Sequence, residues 1–187
     1  MILIGISGKK RSGKDTAANI IHNTLRHTYY IQRVGFAKAL KEDIARMFNV
    51  KLEYIEEHKG AFRLIMQGYG NDYRRALFGD NYWLHRWQES ISSLEKWYTG
   101  LKPICIVVPD VRYKNEFDLI KELGGTIIRI EAINTEFKEP DIHTSETSLD
   151  SCNEFDAIFK NDFKDIRLLH QTLSVWLCHK YKLDTNV

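Results

Sequence analysis

The feature that most constrains this chain is its opening. Ile2-Leu3-Ile4-Gly5-Ile6-Ser7 leads into Gly8-Lys9-Lys10-Arg11-Ser12-Gly13-Lys14-Asp15-Thr16, and Ala18, Ile21 and Leu25 follow at helical spacing. A short continuous apolar run bounded by glycines is the pattern of a strand buried on both faces of a parallel sheet. The spacing after it predicts a helix over Asp15 to Arg26. Strand, glycine-containing turn and helix, arranged around Gly-x-x-x-x-Gly-Lys, let successive backbone N–H groups converge on phosphate oxygens beside the positive end of a helix dipole. Lys14 is then placed to neutralise the outer phosphates of a nucleoside triphosphate. A bare match to these residues could be a tight turn with an exposed basic loop, and the strand before it and helix after it favour the phosphate cradle.

That opening unit also sets the class of the remainder. A second apolar piece, Val34 to Ala37, leads into a predicted helix over Lys38 to Phe48, where Leu40, Ile44, Met47 and Phe48 share a face. Leu52 to Tyr98 stays helical and rich in aromatics and Arg, as a helical insertion forming a substrate wall would be. Ile104 to Val108 is a continuous apolar run and predicts a central strand. Phe117 to Leu123 predicts a helix closed by Gly124-Gly125, and Thr126 to Ile130 the next strand. Asn134 to Asn153 is polar and aperiodic, as a lid loop would be. Ala157 to Phe159 predicts a short last strand and Phe163 to Tyr181 a final helix. The expectation is one α/β domain over 1–187, with an insertion at about 50–100, a lid at about 133–153 and a mainly parallel sheet of about five strands flanked by helices.

Composition narrows the function classes. A length of 187 residues suits one core without staples. Lys and Arg exceed Asp and Glu by only 27 to 25, and basic and aromatic residues are not interleaved in repeats, which argues against a nucleic-acid partner. Cys105, Cys152 and Cys178 are widely separated with no CxxC spacing, as reduced thiols in an intracellular protein would be. No apolar run approaches the roughly 18 residues of a membrane span, and no charged leader precedes a cleavage site. The expected setting is the cytoplasm.

Several residues carry the candidate chemistry. Lys10 and Arg11 add positive charge where phosphates would gather, while Lys9 is left open. Arg63 and Arg112 offer forked guanidiniums suited to a phosphate monoester, against the alternative of exposed or ion-paired arginines. Trp83 could stack a base or sit in a core. Asp110 falls at the carboxyl end of the Ile104 strand, where open α/β sheets bind ligands; it could hold Mg²⁺ through water, anchor Arg112, or only form a turn. Glu116 could orient Arg112 or occupy a helical first turn. Asp15 could reach a metal's water shell, approach the acceptor phosphate or stabilise the helix start.

Placing Thr16 two residues after Lys14, rather than one, resembles the nucleoside monophosphate kinases. The whole Gly8-to-Thr16 string is similar to the cradle of bacteriophage deoxynucleoside monophosphate kinases. Arg63-Leu64-Ile65-Met66-Gln67-Gly68-Tyr69-Gly70-Asn71-Asp72, Tyr82-Trp83 and Val107-Val108-Pro109-Asp110-Val111-Arg112 resemble that family's Arg-containing helix, Gly-Thr-Asp turn, Tyr-Trp pair and Asp-x-Arg strand end, in the same order. Asn71 departs from the pattern, since the family often has Thr there. His143-Thr144-Ser145-Glu146 resembles the lid string, and Asp156 to Asp162 the late strand ending in Asn-Asp.

The resemblance implies a P-loop kinase fold with ATP and Mg²⁺, and a deoxynucleoside monophosphate as acceptor. By the same resemblance Gly8, Arg11, Ser12, Gly13, Lys14, Asp15, Thr16 and Asn161 would touch the donor nucleotide. Lys10, Arg63, Gln67, Gly70, Asn71, Trp83, Asp110, Arg112 and Glu116 would serve the acceptor. Lys14, Asp15, Arg63, Asp110 and Arg112 would be the catalytic set, with direct Mg²⁺ ligands unassigned. It also implies a homodimer and, for a viral source, a host-cytoplasmic enzyme. The rival readings are a phosphomevalonate-type or other small-metabolite kinase, whose cradle looks similar, and a nucleic-acid-linked P-loop ATPase.

Overall fold

A computed structural model describes residues 1–133 and 147–183. The chain divides into two compact units, Val34–Tyr98 and the remainder before and after it. The second unit thus begins at Val34, ahead of the boundary near residue 50 expected from periodicity.

The first unit is built on a five-stranded sheet in the order β2-β3-β1-β4-β5, with every pairing parallel. Its strands are β1 (Ile2–Ser7), β2 (Tyr30–Arg33), β3 (Ile104–Val111), β4 (Thr126–Ile133) and β5 (Ala157–Asp162). Its helices, in chain order across the molecule, are α1 (Lys14–Leu25), α7 (Lys114–Glu122) and α8 (Ile166–Lys180). Successive side chains of a strand point to opposite faces. Ile4 and Ile6 pack with Ala17, Ile21 and Leu25 of α1 and with Leu169, Leu173 and Leu177 of α8, all close to fully buried. On the other face, a Cβ on Gly5 would lie 2.9 Å from Ile120 of α7, so the missing side chain lets that helix seat on the sheet. Helices on both faces explain why β1 and β3 read as unbroken apolar runs.

Two departures from the sequence reading have physical causes. The second strand is Tyr30–Arg33 rather than Val34 to Ala37. As an edge strand it is only half covered, so it lacks the apolar run that marks a central one. The apolar residues that follow belong to the other unit, where Phe36 packs on Trp87 at 4.7 Å and the Trp87 indole donates to the Val34 carbonyl at 2.6 Å. The third strand continues past Val108 through Pro109, although proline is foreign to central strands. Gly5 pairs with Val108 and Ser7 with Val111, so β3 carries an extra residue there. Pro109 sits in that bulge, beyond the last β2 pairing at Val107, where no ladder N–H is demanded of it.

The second unit is helical: α2 (Ala37–Met47), α3 (Leu52–Glu57), α4 (Lys59–Gln67), a π-helical stretch Gly68–Arg75, a short α5 (Ala76–Phe78) and α6 (Tyr82–Trp97). It has its own small core, Ile44, Ala45 and Ile55 with Leu40, Phe62, Ile65 and Met66 packed around them.

Candidate functional site

Because all five strands are parallel, their carboxyl ends share one edge of the first unit. The link after β1 leads toward β2 and β3, whereas the link after β3 carries the chain across to β4. Connections therefore diverge at β1, the position at which open α/β sheets bind ligands. The residues that leave this point are Gly8 to Gly13.

The loop is shaped by conformations that side chains resist. Gly8 has φ 150° and Gly13 φ 99°, and Arg11, though not glycine, has φ 60°. A Cβ on Gly8 would lie 2.5 Å from the Ile130 carbonyl oxygen and from Ser12 Oγ, so β4 and the loop's own serine close that position. Gly13 is the N-cap of α1 and lacks a side-chain cap, leaving the first N–H groups of the helix for another acceptor. Lys14 is the first residue of α1, and its Nζ donates to the carbonyls of Gly8 at 2.6 Å and Lys9 at 2.7 Å. Its ammonium thus lies across the mouth of its own loop. Lys10, Arg11 and Asp15 are exposed, while Thr16 in the first turn of α1 is half-buried. Lys9 forms an ion pair with Asp150, which also receives Arg129 Nη2 at 3.0 Å. Burial pushes the Asp150 carboxyl up, but Lys9 and Arg129 outweigh it and hold the group below the usual carboxylate range.

Asn161 does not lie open to a base. It is fully buried, and its Nδ2 donates to the Ser12 carbonyl at 3.0 Å, bracing the loop from behind across 149 residues of sequence. It is the penultimate residue of β5, packed against the backbone of the loop that the resemblance assigns to the nucleotide. Its Oδ1 and Ser12 Oγ are buried without hydrogen-bond partners among the described residues.

Asp110 follows Pro109 in the β3 bulge, next to Val111, which pairs with Ser7 just before the loop. The same edge therefore holds the cradle, Asp110 and Arg112. Glu116, 3% exposed, accepts the backbone N–H of Arg112 at 2.7 Å and of Tyr113 at 3.0 Å. It holds the Arg112 main chain and caps α7 in one arrangement.

The second unit holds the remaining candidates. Arg63 and Gln67 lie on α4, and Gly70 and Asn71 in the π-helical stretch. A Cβ on Gly70 would come within 3.0 Å of Leu40 on α2, so the close approach of these elements needs glycine. Trp83 is 3% exposed, and its indole donates to the Gly70 carbonyl at 3.0 Å. Trp83 supports the turn from inside, the core placement that the sequence offered as its alternative to stacking a base. The Asn71 side chain, and His143 and Glu146 with the rest of the expected lid, lie outside the described residues.

Sequence reasoning passed over a polar cluster in this unit. Asp43 of α2, 6% exposed, pairs with Arg46, and its Oδ2 lies 3.9 Å from both Arg74 and Arg86. Arg74 Nε donates to the Tyr69 hydroxyl at 2.7 Å, and Arg86 Nη1 to the Tyr82 hydroxyl at 3.2 Å. Its only signal in the sequence is an Asp and an Arg three apart on a helix otherwise patterned for a core.

Comparison with known proteins follows the same lines. The profile of the deoxynucleotide monophosphate kinase family matches residues 51–172. A curated protein of Acanthamoeba polyphaga mimivirus, provisionally named a deoxynucleotide monophosphate kinase, is 33% identical over 185 residues, covering 87% of this chain and 89% of its own. A solved gluconokinase from Sinorhizobium meliloti 1021 aligns over 99% of this chain and 98% of its own at 13% identity and a TM-score of 0.44, too distant to bear on the substrate. No helix among the described residues is long and apolar enough to cross a membrane.

Proposed function

The chain belongs to the deoxynucleotide monophosphate kinase family and is a phosphotransferase acting on deoxynucleoside monophosphates, and from that premise we propose how its residues divide the reaction. ATP is the donor. Its γ-phosphorus–oxygen bond to the β-phosphate breaks as a phosphate oxygen of the acceptor bonds in line to the same phosphorus, leaving ADP and a deoxynucleoside diphosphate. The attacking oxygen is already ionised at neutral pH, so no general base is required, and the protein's task is positioning and charge neutralisation.

The observation that carries the donor half is the loop between β1 and α1, with Gly13 left-handed, the α1 N-terminus uncapped by side chains and Lys14 Nζ lying over the loop carbonyls. Donor phosphate oxygens accept from the loop N–H groups and take Lys14 from its two carbonyl partners. Asn161 and Ser12 keep the loop in that shape. Lys10 and Arg11 screen the remaining phosphate charge. Arg112, its backbone fixed by Glu116, serves the acceptor from the first unit. In the second unit, Arg63, Gln67, Gly70 and Asn71 are the residues we assign to the acceptor.

Among the described residues no three His, Cys, Asp or Glu side chains gather into a metal cage. Single hard-oxygen donors fit Mg²⁺, which keeps water and substrate phosphates for most of its shell. Thr16, Asp15 and Asp110 are the donors of that kind at the cradle edge. When bound, Mg²⁺ neutralises charge on the phosphate oxygens.

The test is a coupled assay of ADP formation with each deoxynucleoside monophosphate, run beside Lys14→Ala. We expect acceptor-dependent ADP release that falls by about a thousandfold or more in the variant. Transfer undiminished by the substitution would overturn the donor site, and no acceptor-dependent release with any base would overturn the acceptor assignment.

A further inference from the structure

The Asp43 cluster has an imbalance that a scaffold does not need. Among the described residues one buried carboxylate faces three guanidiniums, of which Arg46 alone pairs closely with it, while the Tyr69 hydroxyl donates to its Oδ2 at 3.4 Å. Arg74 Nη2 and Arg86 Nη1 stop at 3.9 Å from the same Oδ2, beyond hydrogen-bonding range, where a structural Arg–carboxylate pair would close to about 2.8 Å. Their closer contacts are to neutral groups. Tyr69 and Tyr82 hydroxyls receive them, and the Arg74 guanidinium lies over the rings of Tyr69 at 5.0 Å and of Phe78 and Tyr82 at 5.5 Å. Tyrosines orient both arginines, while Asp43 only offsets part of their charge. Arg86 also has Glu89 at 3.7 Å, but that carboxylate is 72% exposed and a weak competitor.

Three elements meet here. Asp43 comes from α2, Tyr69 and Arg74 from the π-helical stretch that carries Gly70 and Asn71, and Tyr82 and Arg86 from α6. π-helical turns persist where function demands them. Beside the arginines, Phe78 is 58% exposed and Tyr73 55% exposed, the latter stacked on Tyr69 at 5.9 Å with planes 18° apart. Two guanidiniums oriented by tyrosines, beyond bonding range of Asp43 and flanked by the partly exposed Tyr73 and Phe78, suit a phosphate monoester that bears a flat base.

We propose that Arg74 and Arg86 bind the phosphate of the acceptor, and that Asp43 is a stand-in anion that keeps the two arginines in place until that phosphate arrives. The proposal rests on the deoxynucleoside monophosphate kinase reading. It makes Asp43 a competitor of the substrate, which a residue serving only to hold the helices together would not be.

The sign of one substitution separates these roles. Asp43→Asn keeps the shape and one acceptor oxygen but removes the charge, so KM for the monophosphate should fall about fivefold with KM for ATP unchanged. Arg86→Gln and Arg74→Gln should each raise KM for the monophosphate about tenfold or more, again with KM for ATP unchanged. Arg86→Lys should restore only part of that loss, since it keeps the charge but not the fork. An unchanged or raised KM for the monophosphate in Asp43→Asn overturns the proposal, as does an unaltered KM in Arg86→Gln, which decides the matter alone should Asp43→Asn not fold. If the unaltered protein phosphorylates no deoxynucleoside monophosphate, the functional reading has failed; if it does and the variants depart from these outcomes, only this inference has.

Discussion

Gly13→Ala tests whether the phosphate loop is held by Asn161 or merely lies next to it. Gly13 has φ 99° and ψ 23°, in the left-handed region where a Cβ costs about 1–2 kcal/mol. That Cβ would also come far closer to Asn161 Nδ2 than the 3.0 Å real Cβ atoms keep. Asn161 is fully buried and cannot swing into solvent. Its only relief is to give up the 3.0 Å bond to the Ser12 carbonyl, leaving a buried donor and acceptor unmade at about 1–3 kcal/mol. The sum, about 2–5 kcal/mol, is a large part of the roughly 5–15 kcal/mol that holds a domain folded, but not all of it. The variant should therefore fold and melt about 4–20 °C lower. Urea denaturation followed by far-UV circular dichroism measures the loss. The mechanism is isolated by adding Asn161→Ala, which removes the obstructing amide. Asn161→Ala alone should destabilise, yet the double variant should be more stable than the two losses added together by about 1 kcal/mol or more. Strict additivity, or a Gly13→Ala protein as stable as the parent, would refute the argument that these two residues are locked together.

Two further predictions concern groups away from the loop. Asp156 accepts the Ile127 N–H at 2.7 Å and the Lys121 ammonium at 2.7 Å, with Lys180 at 3.7 Å; burial pushes its carboxyl up, but these donors outweigh it and the group titrates below its usual range. A depressed carboxylate contributes stability that is full above its unfolded value, near 4, and is lost as pH falls through the folded one. Asp156→Asn should therefore cost about 1–3 kcal/mol at pH 7, and the gap to the parent should narrow steadily below pH 4; a gap constant down to pH 2 would contradict this. Burial pushes the Cys105 thiol up to about 12, whereas Cys152 and Cys178 are partly exposed. Alkylation of the folded protein at pH 8, read by peptide mass spectrometry, should modify Cys152 and Cys178 and spare Cys105 until denaturant is added; equal labelling of all three would rule out the buried placement.

What the sequence made legible was local. The first strand, the loop and the first helix follow one another within 25 residues, and each announces itself by its own pattern. The glycines at 8 and 13 could be assigned special backbone conformations because the motif explains why they are needed. Longer-range facts were not readable in this way. The strand Tyr30–Arg33 has weak apolarity because it is an edge, and the stronger signal beside it, Val34 and Phe36, belongs to the helical unit's core. Trp83 and Asn161 both keep their expected neighbourhood but turn inward, toward the Gly70 and Ser12 carbonyls. Whether an aromatic ring or an amide faces ligand or backbone depends on partners that local spacing does not encode. Asp43 is the extreme case: its pairing with Arg46 is local, but the other two arginines that face it come from later helical segments.

The two halves of the functional reading rest on separate residues, which fixes how far a failure in one would spread. The family profile spans 51–172 and so includes Arg63, Trp83, Asp110, Arg112 and Asn161, but not the loop at 8–16. The loop stands on its own geometry: left-handed glycines, an uncapped helix start and a lysine folded over the carbonyls it would leave for phosphate. Asn161 is where the two lines meet, a residue inside the matched region whose buried amide shapes a loop outside it. Any substitution that frees the loop from Asn161 should consequently weaken ATP first and the acceptor only through it, whereas changes at Arg63, Arg74 or Arg86 should act on the monophosphate and leave ATP as it was.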